Sequence, residues 1–222
     1  MTANTASKRL PPKERARIAE IFDRLAAVLP EPKTELDYIS AYTLVVAVAL
    51  SAQATDKSVN KATAELFKVA ATPQAMLDLG VEGLIPYIQS IGLYRTKAKN
   101  VIAAAEIIVH QHGGEIPMQR EALMALPGVG RKTASVVLNE LGVEPAIAVD
   151  THVFRVSHRL KIAFGKTPDA VEQELMRVVP QPRLTQAHHW LILHGRYTGV
   201  ARRPKCEACV IADLCPSRDL FV

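Results

Sequence analysis

The sequence predicts an all-α fold. Apolar residues recur at helical spacing through most of its 222 residues. Prolines and capping residues open these runs, and glycines or further prolines close them. No alternating apolar stretch is long enough to demand a sheet, since the one strand-like run, AIAVD at 146–150, is short. A hydrophobic content of 49% supplies one large or two small cores. The formal net charge of +5 tilts the expectation toward a polyanionic partner. The longest apolar run, near 42–50, is too short to cross a bilayer, and the N-terminus lacks a signal-peptide core. A cytoplasmic protein without a membrane partner is expected.

The elements follow in order. The opening MTANTASKRL is polar and basic, and is expected to fray. Pro12 fits the first turn of a helix in which Ile18, Ile21, Phe22, Leu25, Val28 and Leu29 recur until Pro30 and Pro32. Residues 39–50 are apolar on nearly every side and predict a central, buried helix. SAQATDKSVN, at 51–60, interrupts with small and polar residues before a helix through Phe67. Thr72-Pro73 reads as the cap and first turn of a short helix ending near Gly80. In IGLYRTKAKNVIAAAEIIVHQHGG, Val101, Ile102, Ala105, Ile108 and Val109 share a face, and Gly113 and Gly114 end the helix. Further helices are expected from Thr167-Pro168 through Val179 and from HHWLILHGRY onward.

The stretch LMALPGVGRKTASVVLNELGVEPAIAVD, at 123–150, carries the chemistry. Gly128 and Gly130 let a turn run tight, so that backbone N–H groups at the start of the next helix can approach a phosphate. An ordinary turn between packed helices is the plain alternative. Lys132, beside Arg131 in the first helical turn, feels the helix dipole and a like charge, conditions that prepare an amine as a nucleophile. A phosphate-contacting lysine is the other reading. Asp150, before THVF, can be a helix N-cap or a carboxylate that accepts a proton and steadies a cationic sugar. IGLYRTKAKN at 91–100 faintly echoes this arrangement of glycine, apolar and basic residues.

LPGVGRKTASVVLN and AVDTHVFRV, with SAQATD and HHWLILHGRY, resemble the endonuclease III family of DNA glycosylases, and the resemblance runs from about Leu25 to Leu220. It implies a base-excision-repair glycosylase with AP lyase activity on oxidised or ring-saturated pyrimidines in duplex DNA. By similarity, Lys132 attacks C1′ of a flipped nucleotide and forms a Schiff base, and Asp150 assists base departure. Gln53 and Leu93 are similar to the residues that fill and wedge the opened duplex, with a buried amide and a core leucine as the plain alternatives. Gly128, Gly130 and Arg131 would hold the backbone, as would Arg202, Arg203 and Lys205 unless they merely form a solvated basic loop. The resemblance also implies a monomer at the nucleoid with two helical domains and a DNA-binding cleft between them. One domain spans 34–144 and the other joins 1–33 to 145–222. The alternatives are a non-catalytic helix-hairpin-helix DNA-binding protein and a monofunctional mismatch glycosylase.

One feature departs from the family. Its pattern is four cysteines, separated by six, two and five residues, that bind a 4Fe-4S cluster. Cys206, Cys209 and Cys215 match the last three, whereas the first position is Gly199. Three outcomes are weighed, in order of preference: a cluster with an open iron, no metal, and a zinc completed by a non-cysteine ligand. None is needed for the glycosylase chemistry. His188, His189 and His194 lie beside Trp190 and read as packing or hydrogen-bonding residues.

Overall fold

The computed structural model describes residues 10–221. The stretch expected to fray falls outside them except for Leu10. Ten α-helices and no strand occur among the described residues. The chain divides into two compact units, Lys33–Ala148 and Met1–Pro32 with Val149–Val222. The second division lies four residues beyond the expected 144. Ala146 and Ile147 are buried, and Ala146 N donates to Asn139 Oδ1 at 3.0 Å, which ties the strand-like run back to the preceding helix.

In the Lys33–Ala148 unit, α2 (Ala41–Leu50) is the centre. Tyr42, Thr43, Leu44, Val45, Val46, Ala47, Val48 and Leu50 are all buried. The helix begins two residues later than the apolar run suggested: Ser40 caps it in a capping box with Thr43, leaving Ile39 72% exposed. Such a cap is worth about 1 kcal/mol, whereas each fully buried aliphatic side chain is worth about 1.5–3 kcal/mol. Burial, rather than capping, holds α2 in place.

Around it lie α3 (Asp56–Val69), α4 (Pro73–Ile88), α5 (Tyr94–His112), α6 (Arg120–Met124) and α7 (Arg131–Glu140). Thr72 caps α4 through Ala75 N, and Gly80, at φ 67° and ψ 175°, breaks it where the sequence predicted an end. A second segment then continues through Pro86 to Ile88. Gly113 closes α5 at φ 61°, and Gly114 N reaches back to Ile108 O at 2.9 Å. The buried face of α5 is Lys97, Ala98, Val101, Ala104, Ala105 and Ile108; Ile102 and Val109 are only half-buried.

The other unit contains α1 (Pro12–Val28), α8 (Thr151–Arg159), α9 (Pro168–Val178) and α10 (Leu184–Tyr197), followed by a loop of short 3-10 turns. Ile18, Ile21, Phe22 and Leu25 of α1 are buried, while Val28 and Leu29 are exposed because the helix runs out there. Trp190 stands 6.3 Å from Phe22 between ring centroids, and its indole N–H donates to Leu29 O at 2.8 Å. Gly195 lets α10 close on α8, since a Cβ there would stand 2.9 Å from His152 Cβ.

Candidate active site and cysteine loop

The α6–α7 turn forms from local hydrogen bonds: Leu126 N donates to Leu123 O at 3.1 Å and Val129 N to Leu126 O at 3.0 Å. Arg120 braces the two helices through Ser135 Oγ at 2.7 Å. Gly128 is required here. Its φ is 81°, and a Cβ would meet Asn100 Cβ at 3.0 Å. Gly130 differs from the sequence expectation, because φ −88° with ψ 178° is extended backbone open to any residue and nothing lies within 4 Å of a Cβ. It begins α7 without a side-chain cap. Arg131 and Lys132 occupy the first two helical positions and are exposed.

Gln53 and Leu93 are not core residues. Gln53 is exposed and Leu93 is 64% exposed, so a buried amide and a core leucine are both excluded. Both adopt left-handed backbone, at φ 56° and 61° respectively. Such a conformation costs a non-glycine residue about 1–2 kcal/mol and persists only where the surroundings impose it. With Gly128, Asn100 and Lys97 they line one concave pocket of about 170 Å³.

Lys97, which the sequence reading missed, holds the backbone just before Gln53. Its Nζ is buried and donates to Leu50 O at 2.9 Å and Ala52 O at 2.7 Å. The ammonium thus ties down the C-terminal end of α2 and the residue before Gln53, a favourable place for a cation. Burial lowers its pKa from the ordinary lysine value. The available signal was its place on the 97, 101, 104, 108 face of α5.

Asp150 is an N-cap, as one of its two readings had it. A single carboxylate oxygen accepts from His152 N and Val153 N, both at 2.8 Å. This fixes the carboxylate at the start of α8. Arg202, Arg203 and Lys205 are exposed, and Arg203 is a further left-handed residue at φ 52°.

Cys206, Cys209, Cys215 and Gly199 line one cavity of about 40 Å³, with His194 and Arg159 in its wall. Arginine side chains bond the backbone of the loop at and after Gly199. Arg159 donates to the carbonyls of Gly199, Val200 and Ala201 at 3.0, 2.7 and 2.9 Å, and Arg155 Nε to Gly199 O at 3.1 Å. From α1, Arg17 reaches Leu214 O at 2.8 Å and Arg24 pairs with Asp213 at 2.7 Å. Burial pushes the Cys209 thiol up, and the neighbouring Cys215 and Cys206 add to this. His194 is half-buried, and desolvation lowers its imidazole to about 4.

Residues 46–181 match the model of the HhH-GPD superfamily of base excision DNA repair proteins, and residues 200–215 match the iron-sulfur binding domain of endonuclease III. Endonuclease III of Escherichia coli (strain K12) is 56% identical over 92% of this chain and 97% of its own length. The chain belongs to the endonuclease III family. The Haemophilus influenzae endonuclease III is likewise 56% identical, over 90% of this chain and 95% of its own. A solved structure of a trapped endonuclease III–DNA covalent intermediate matches with a TM-score of 0.87 at 39% identity, covering 96% of this chain and 99% of that one. Endonuclease III enzymes are DNA-repair catalysts, and this chain is an enzyme of that kind. No helix among the described residues is long and apolar enough to cross a membrane.

The donors of this segment suit an iron–sulfur group, since Cys206, Cys209 and Cys215 are free thiols on one cavity. A cuboidal cluster attaches each thiolate to a different iron, so its ligands stand around a central space. Three thiols lining one cavity supply ligands of the kind such a group takes.

Proposed function

We propose that this chain is a bifunctional DNA glycosylase and AP lyase that removes oxidised or ring-saturated pyrimidines from duplex DNA and cuts abasic sites. The observation that carries this is the likeness, over nearly the whole chain, to a protein caught in a covalent bond with DNA. An exposed lysine at an uncapped helix start, after a glycine turn that can receive phosphate, supports it.

In this reading a damaged nucleotide leaves the stack because its sugar carbon is unreachable within the duplex. Gln53 and Leu93, held outward by their left-handed backbone, occupy and wedge the gap. The Lys132 amine bonds to C1′ as the C1′–N glycosidic bond breaks and the base departs with its electron pair. Asp150 accepts the proton that Lys132 sheds. The C1′–O4′ bond of this aminal then opens, with O4′ taking a proton, to give an iminium; this acidifies C2′, whose proton is removed as the C3′–O bond breaks, and water then hydrolyses the Schiff base. Gly128, Gly130 and Arg131 hold the phosphate backbone, and Arg202, Arg203 and Lys205 add sequence-independent contacts. The chain acts as a monomer.

Cys206, Cys209 and Cys215 would hold a 4Fe-4S cluster. Bound there, it would cross-link the C-terminal loop; base excision and β-elimination are redox-neutral and take no electron from it.

Borohydride reduction with abasic or oxidised-pyrimidine duplex DNA is expected to trap a covalent complex. Lys132→Ala is expected to abolish trapping and lower strand cleavage by at least about 10³-fold. If wild-type protein binds such DNA but neither traps nor cuts it, the proposal gives way to a non-catalytic binder.

A further inference from the structure

We propose that His194 Nε2 is the fourth ligand of the cluster, taking the place that the missing cysteine at position 199 leaves open. The inference rests on the reading that Cys206, Cys209 and Cys215 hold iron and sulfide.

The placement comes from the end of α10. Its last turn folds back on itself, with Thr198 N and Gly199 N both donating to His194 O, at 3.0 and 2.7 Å. Gly199 is thereby brought alongside the His194 ring. A Cβ built on Gly199 would stand 3.2 Å from His194 Cδ2 and 3.3 Å from Nε2. The reactive edge of the imidazole therefore lies beside the space that a side chain at 199 would use. Glycine keeps that space clear for the ring.

The chemistry of the cavity wall narrows the choice further. Besides the three thiols, its polar side chains are those of Arg159, Lys205 and Arg218, which are cations without a lone pair to give, and the hydroxyls of Thr198 and Ser217. Ser217 Oγ is engaged, donating to Arg159 O at 2.8 Å. No carboxylate lines the cavity. His194 is the one strong neutral donor left, and its ring makes no hydrogen bond among the described residues. Imidazole nitrogen is an established replacement for thiolate on an iron of a cluster, and the exchange raises the reduction potential because a neutral ligand replaces an anionic one. Here three thiols each lose a proton on binding, while His194 binds as neutral imidazole with its proton on Nδ1 and none released.

The test uses the full chain labelled with ¹⁵N-histidine. It is purified anaerobically, reconstituted with ferrous iron and sulfide, and brought to a paramagnetic redox state for pulsed EPR. The expected result is a nitrogen hyperfine coupling that changes with the label and disappears in His194→Ala, along with loss of at least about half of the bound iron. His194→Cys keeps the iron but not the coupling, which separates loss of a ligand from loss of the fold. Gly199→Cys, with His194 intact, also loses the coupling, and its midpoint potential falls below that of the unsubstituted protein. Bound iron without a histidine-dependent coupling, or a coupling that survives in His194→Ala, overturns the assignment while leaving the three-cysteine cluster standing. A reconstituted protein that holds no iron at all overturns both.

Discussion

Two helix starts in the Lys33–Ala148 unit follow a similar recipe and use it for opposite ends. Before α5 the chain reads Gly92-Leu93-Tyr94-Arg95-Thr96-Lys97, and before α7 it reads Gly128-Val129-Gly130-Arg131-Lys132. Each joins a glycine-containing turn to a basic first helical turn. Lys97 is the fourth residue of α5 and falls on the stripe that faces the core, so its ammonium enters the protein and binds Leu50 O and Ala52 O. Lys132 is the second residue of α7, ahead of the buried Ala134, Val137 and Leu138, and stays exposed. A shift of two positions along a helix turns the side chain by roughly 200°. That rotation separates a lysine that builds a site from one available to react in it.

The comparison is most sharply broken by exchanging the two lysines for neutral residues. Lys97→Met leaves two carbonyls without their charged donor and should cost about 3 kcal/mol, lowering Tm by around 10 °C. Lys132→Ala should change stability by no more than about 0.5 kcal/mol. Equal Tm values in a thermal scan would refute the division of labour.

The turns themselves come next. Gly128→Ala must place a Cβ at positive φ against Asn100 and should cost about 1–2 kcal/mol, with weaker binding to abasic-site DNA in a titration. Gly130→Ala, with extended backbone and open space, should stay within about 0.5 kcal/mol. A smaller change of opposite sign is expected at the other turn. Leu93→Gly relieves left-handed strain and should raise stability by about 0.5–1 kcal/mol in denaturant melts, while raising KM for abasic-site DNA.

The last effect is a slope. Burial lowers the Lys97 pKa, so between its folded value and the ordinary lysine value the unfolded chain binds more protons than the folded one. Stability contributed at this position therefore rises with pH through that window. Wild-type protein should gain on Lys97→Met as pH climbs toward 10.5, and parallel stability curves would show that the buried ammonium carries no such penalty.

What could be read in the sequence was local. Pro12, Thr72-Pro73, Gly113 and Thr167-Pro168 mark helix ends by their own backbone preferences, and the all-α class follows from such signals. The apolar run at 39–50 disclosed a central helix but not its first residue, because the Ser40–Thr43 capping box starts the helix after Ile39, which is left exposed. The left-handed backbone of Gln53 and Leu93 has no sequence signature, as neither is the glycine such angles favour. Lys97 bonds carbonyls 47 and 45 positions away, a contact invisible before folding. His194 was read as packing because histidines beside Trp190 usually pack; its nearness to Gly199 emerges only when the end of α10 folds back.

The arginine hydrogen bonds around the C-terminal loop hold it from two directions. Arg155 and Arg159 hold the carbonyls at 199–201, while Arg17 and Arg24 hold the far side of the loop from α1. The loop is thus pinned from α8 on one side and from α1 on the other. Four arginines on two helices therefore act on the loop as a clamp with two separable jaws.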